Sequence, residues 1–375
     1  MTDQLPIISG TRAINASATT STSLLRRGLA AIQSQKIVTV EQDIRYRQAR
    51  DIYNRITDYG WESRFEANLL PKRGEQFDLF EDNQLLQLQL FFTKLQQLAD
   101  TFIVFHQLAD KGYGKAYFPL ARMYWGGQGI TKNIEKNDFY SYLAFDWCFS
   151  NKTLNDPEIW MDLGWMYEDG RGVEQDDEAA VFWYEQAVGQ GHAIAQCNLG
   201  WMYEYGRGVK QDDEQAVFWY EQAAGQGHAR AQCNLGGIYQ YGRGVEQDDE
   251  QAVFWYEQAA GQGYASAQCN LGWMYQYGRG VEQDDEPAVF CYEQAAGQGH
   301  VRAQFNLGWM YQYGRGIEQD DEQAVFWYEQ AADQGYAQAQ FNLGWMYQYG
   351  RGIEQDDEQA VELYRKAAKQ GHANA

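Results

Sequence analysis

The sequence has little proline and little cysteine, five of each in 375 residues. Scarce proline beside 27 Tyr, 18 Phe and 13 Trp is not the composition of a disordered chain beyond its first residues. Basic side chains are also short: 30 Lys and Arg face 52 Asp and Glu, a formal net charge of −22. A field of that sign repels DNA, RNA and anionic lipid. No apolar run approaches the ~20 residues that cross a bilayer as a helix. No glycine-rich phosphate loop follows a strand. No Ser or Cys nucleophile is paired with a plausible base, and the cysteine spacing does not suit zinc. The sequence therefore predicts no enzyme, no cofactor and no metal.

The N-terminus carries an early acid, Asp3, and Arg26-Arg27 precedes only a short, broken apolar run. That is a poor secretory signal. The expectation is a cytoplasmic protein, with a periplasmic or non-classically secreted one left open. The charge is uneven. Residues 1–110 hold 13 acids and 12 bases, and the other 39 acids and 18 bases lie beyond, a balance of −21. That half would attract a basic partner; alternatively, its acids only keep a long surface soluble.

What the chain does have is a period. Leu163, Leu199, Leu235, Leu271, Leu307 and Leu343 stand 36 residues apart, each followed by Gly and, four residues on, by Tyr. Leu120, Ala121 and Tyr124 fit the same frame, with seven residues inserted around 150–156. A period of this length marks stacked repeats rather than two or three globular domains. In the unit 264–299, Ala267, Leu271 and Tyr275 form one apolar stripe of a helix A. Gly272 costs helix propensity and makes sense where another helix packs closely. Gly278 suits a left-handed cap. Asp284 can cap a helix B, with Asp285 and Glu286 in its first turn; Asp248 with Gln251 makes a capping box in the sibling unit. Ala288, Cys291, Tyr292, Ala295 and Ala296 point inward. Arg365, Lys366 and Lys369 make the last unit a polar terminal cap.

The run Leu271-Gly272-Trp273-Met274-Tyr275, then Gly278-Arg279-Gly280-Val281, Asp284, Ala288, Tyr292, Ala295-Ala296 and Gly299-His300, resembles the Sel1-like repeat family, a relative of the tetratricopeptide repeats. The likeness covers residues 113–375. It implies an all-α fold, a right-handed α/α superhelix of antiparallel helix pairs, in chains that are often bacterial and act as adaptors or scaffolds. The expected organisation is a flexible lead-in over 1–38, an N-terminal helical segment over 39–82 and a helical cap over 83–112. A degenerate repeat with its insertion fills 113–155, six repeats fill 156–371 and a tail ends at 375. The cap reads as two helices. The segment 39–82 has a basic face of Arg45, Arg47, Arg50 and Arg55, which docks on the acidic repeats or a second copy, or is merely solvated.

The repeats supply their own comparison. Three columns vary: Glu158, Ile194, Arg230, Ser266, Arg302 and Gln338; Met161, Cys197, Cys233, Cys269, Phe305 and Phe341; Trp165, Trp201, Gly237, Trp273, Trp309 and Trp345. Their spacing of three and four puts them on one face of helix A. Resemblance to tetratricopeptide folds makes that face the concave groove. The groove so read is floored by Trp165, Trp201, Trp273, Trp309 and Trp345, with Phe305 and Phe341 toward one end and Arg230 and Arg302 between. Tyr205, Tyr241, Tyr277, Tyr313 and Tyr349 extend the ladder, and Gly237 leaves a gap for a partner's side chain. Aromatic and Arg residues are common interface anchors; the other reading is that the indoles pack between helices, as Trp219, Trp255 and Trp327 on helix B are expected to do. The recurring acids Glu246, Asp248, Asp249 and Glu250 form a ridge, unlike a calcium loop. The cysteines read as apolar filler, and the family's disulfide-clamped branch is argued against by Ala224, Ala260 and Ala296. The His column 192, 228, 300 and 372 reads as packing or turn hydrogen bonding.

The expected function is a protein-binding adaptor or scaffold favouring a basic partner. The alternatives are an immunity-type protein that neutralises a toxin or effector, a factor recruiting host or envelope proteins, and a structural self-assembling module.

Overall fold

The structure is a computed structural model that describes residues 82–128 and 130–371. The lead-in, the basic face around Arg45–Arg55, His372 and the tail lie outside the described residues. The described chain is all α: fifteen α-helices and two short 3-10 turns, with no strand among the described residues. α1 (Asp82–Asp110) leads into seven helix pairs. These are α2 (Tyr117–Gly126) with α3 (Ile134–Asn151), α4 (Pro157–Asp169) with α5 (Asp177–Val188), and α6 (Ala193–Tyr205) with α7 (Asp213–Gly225). Then come α8 (Ala229–Tyr241) with α9 (Asp249–Gly261), α10 (Ala265–Tyr277) with α11 (Asp285–Ala296), α12 (Val301–Tyr313) with α13 (Asp321–Asp333), and α14 (Ala337–Tyr349) with α15 (Asp357–Lys369). They stack as a right-handed solenoid.

Each boundary follows from its residues. Helix A ends on a glycine in the left-handed region, as at Gly278 (φ 63°), a conformation that costs a residue with Cβ dearly. Helix B starts under an Asp cap. Asp248 accepts from the Gln251 amide at 3.0 Å. Pro287 has no such amide, so Asp284 accepts one residue earlier, from Glu286 at 3.1 Å. His192, His228 and His300 cap the A helices, their Nδ1 accepting from Ala195, Ala231 and Ala303. The His column is thus turn hydrogen bonding.

Two differences from the sequence reading appear near the start. Asp82–Asp110 forms one 29-residue helix, not two; no Gly or Pro stops the chain before Gly112. The insertion adds a turn to α3, then a 3-10 turn and a left-handed Asn155 (φ 55°).

The core is a series of clusters, one per junction, where Leu and Met of helix A meet Ala, Val and Tyr of helix B. The helical glycine is needed here: a Cβ on Gly272 would lie 2.8 Å from the Tyr292 ring. Three-turn helices are marginal alone, and two polar ladders add to the stacking. Arg207, Arg279, Arg315 and Arg351 each reach back to Asp177, Asp249, Asp285 and Asp321 of the preceding helix B at 2.6–2.7 Å. At the opposite turns, Gln226, Gln262, Gln298, Gln334 and Gln370 donate to Gln196, Gln232, Gln268, Gln304 and Gln340 at 2.6–2.9 Å. The first-turn Asp therefore ties repeats together, a role beyond the dipole stabilisation read from sequence.

Candidate functional site: an aromatic groove along the A helices

Because Leu, Gly and Met of each A helix turn into the core, the residues two and six after the Leu emerge on another face of the helix. They line a groove of about 690 Å³ spanning the units that contain α6, α8, α10, α12 and the start of α14. Eight residues singled out in the sequence meet there: Trp201, Tyr205, Tyr241, Trp273, Tyr277, Arg302, Phe305 and Trp309. The indoles are half-buried and the tyrosines exposed. Trp165, Tyr313, Phe341 and Trp345 continue the rows outside this groove. Arg230 folds onto the preceding repeat, donating to Cys197 Sγ and Asn198 Oδ1. The column of Met161, Cys197, Cys233 and Cys269 is buried, so its small members serve the core, and only Phe305 and Phe341 are large enough to emerge.

The floor is polar and ordered. Tyr220, Tyr256, Tyr292 and Tyr328 are buried on helix B, and each hydroxyl donates at 2.7 Å to Glu204, Gln240, Gln276 and Gln312 of its own helix A. Burial pushes these phenols up, far from ionising. The acceptors are buried too, so a bonded pair replaces what would be two unsatisfied polar groups. Arg302 donates to Asn270 Oδ1.

One unit departs from the rest. In α8, Gly237 stands where α6, α10, α12 and α14 carry Trp. Arg243, which by period would reach Asp213, instead pairs with Glu204 across the groove floor. The Glu204 carboxylate is only 7% exposed, and a buried charge persists only when paired and hydrogen-bonded. The sequence reading missed both residues. The signal was present, since the column five after the Leu holds Glu168 and Glu204 before changing to Gln.

On the outer side of helix B, Phe182, Phe218, Phe254 and Phe290 are exposed. Three of them pack edge-on to the neighbouring Trp183, Trp219 and Trp255. Trp219, Trp255 and Trp327 themselves pack against the junction cores, as expected. This Phe series holds through five of the six full units and gives way to Glu362 only in the last, and variation on helix A was the clue being followed.

None of the five cysteines is in a disulfide, and all are buried. Burial pushes the Cys233 and Cys291 thiols up to about 12, which leaves no thiolate to react at neutral pH. Among the described residues no cluster of three His, Cys, Asp or Glu could hold a metal ion, and no helix is long and apolar enough to cross a membrane.

The Sel1 repeat matches residues 114–137, 161–192, 193–228, 229–264, 265–300, 301–336 and 337–372. A Sel1 repeat protein from Oxalobacter formigenes is 33% identical with a TM-score of 0.57, over 61% of this chain and 91% of that one. A protective antigen of uropathogenic Escherichia coli strains, displaying an SLR fold, is 32% identical with a TM-score of 0.55. That match covers 77% of this chain and 62% of the antigen's length. No curated protein matches the chain.

Proposed function

This chain belongs to the Sel1 repeat family, and from that premise we propose that its helix A groove grips an extended segment of a protein partner whose surface is basic. Sel1-repeat solenoids are non-catalytic protein–protein interaction modules. The observation that carries the reading is the convergence of Trp201, Trp273, Trp309, Phe305 and Arg302 in one groove. Half-buried aromatic rings lose little entropy on contact, and aromatics and Arg anchor interfaces.

The charge and the groove divide the work. Within the groove, Arg243 and Arg302 outnumber Glu204, so the interior is not the acidic element. The exposed acids lie on the A-to-B turns, at Glu246, Glu282, Glu318 and Glu354. There they steer a basic protein toward the groove at a distance limited by salt. No feature of the groove distinguishes a toxin from another basic protein, so an immunity role is not part of this proposal. The proposal places the protein in the cytoplasm, a reducing compartment that suits five cysteines outside any disulfide.

The test is affinity capture with the wild-type chain beside a Trp273→Ala, Trp309→Ala double variant. The expected result is loss of the main partner with unchanged helicity by circular dichroism. Equal capture by both proteins refutes the groove as the contact. Capture by both that vanishes in high salt puts the contact on the acidic turns instead.

A further inference from the structure

Four full units build the same three-part contact. An indole on helix A, Trp201, Trp273, Trp309 or Trp345, lies 5.0–5.1 Å from the Tyr four residues on. The Arg of the following turn sits over the same indole at 5.1–5.9 Å, within cation–π range. The unit of α8 keeps the Tyr and the Arg but has no indole. Tyr241 is 69% exposed, against 57–59% for its four counterparts. Arg243 has no ring beneath it and does not take its periodic partner. It turns to Glu204, and its Nε is buried without an acceptor.

The space has not been refilled by neighbours. A Cβ on Gly237 would meet only the Tyr256 hydroxyl, at 3.6 Å. Trp201 and Trp273, from the units before and after, stand in the groove on either side.

We propose that the gap at Gly237 is a socket for one large aromatic side chain of the protein partner, tryptophan by preference, which replaces the missing indole against Tyr241 and Arg243. This rests on the groove reading above and names what enters it. The molecule shows four times over what this space holds. A guest ring recovers the Tyr and Arg contacts that the indoles of α6, α10, α12 and α14 make. A guest Lys or Arg is the competing occupant, since Glu204 lies on the floor. That carboxylate is already held by Arg243 and by the Tyr220 hydroxyl at 2.7 Å, so a cation would have to displace an existing ion pair. An aromatic ring displaces nothing.

The test uses the full chain with N-acetyl-tryptophanamide and N-acetyl-argininamide as probes, in isothermal titration. Gly237→Trp fills the socket from within; Gly237→Leu serves as a second variant should the larger side chain misfold. Wild type is expected to bind the tryptophan amide, with a dissociation constant on the order of 1–10 mM. It should bind the arginine amide roughly tenfold more weakly, and both variants should lose the tryptophan amide while keeping native helicity. Tighter binding of the arginine amide, undiminished tryptophan amide binding by both variants, or no saturable binding to wild type overturns the socket. The captured partner separates the two claims. Binding retained by Gly237→Trp but lost by the Trp273→Ala, Trp309→Ala variant overturns the socket and leaves the groove; binding retained by all removes the groove itself.

Discussion

At the residue scale, two helical glycines carry opposite expectations. Gly272 faces Tyr292, and a Cβ there would sit 2.8 Å from the ring and 3.1 Å from the Ala288 carbonyl. Overpacking costs typically ~1–3 kcal/mol, which outweighs the ~1 kcal/mol gained by replacing Gly in a helix. Gly272→Ala should therefore lower the urea midpoint. Gly237→Ala meets only the Tyr256 hydroxyl, at an ordinary 3.6 Å contact, and should raise it, by up to ~1 kcal/mol. The constant glycine was legible as a point of close approach, but its neighbour was not, because the stretch between Gly272 and Tyr292 includes a turn whose geometry no periodicity specifies. His300 gives a pH test. Burial, then Arg302, pushes its pKa down from 6.5 to about 4, and its Nδ1 must stay unprotonated to cap α12. Between those pH values the unfolded chain binds a proton that the folded chain refuses, so stability falls as pH drops through the window. His300→Tyr, the residue found at 264 and 336, should remove about 2 kcal/mol of that loss. Parallel melting curves at pH 7 and pH 4.5 check it, and an unchanged pH slope in the variant would contradict it.

At the element scale, each helix is too short to persist without its caps and neighbours. Asp248→Ala removes the acceptor of the Gln251 amide and should cost about 1 kcal/mol, read from the urea midpoint. Arg315→Ala removes a partly exposed ion pair to the preceding repeat and should cost less. The reverse order would mean that the inter-repeat ladder matters more than the caps. Helix ends were the most legible elements, because Gly, Asp and Pro act locally. The ladders were not, since Arg315 with Asp285 and Gln298 with Gln268 are 30 residues apart and only the stacking brings them together. The helix over 82–110 was misread for a related reason: its apolar spacing drifts, yet nothing in it stops a helix.

At the scale of the whole molecule, constant columns build the spine and departures from the period mark the groove. That logic found Gly237, Phe305 and Arg302, while the buried cysteines of the Phe305 column serve as the apolar filler the sequence suggests. It failed for Glu204 and Arg243, whose pairing depends on an absence one helix away. It also passed over the exposed Phe series, which forms a rival surface. The direct measurement is side-chain oxidation footprinting of the chain with and without its captured partner. The groove account predicts protection at Trp201, Tyr241, Trp273 and Trp309, with Phe218, Phe254 and Phe290 unchanged. Protection of those phenylalanines alone, with the groove indoles as reactive as in the free chain, would contradict it.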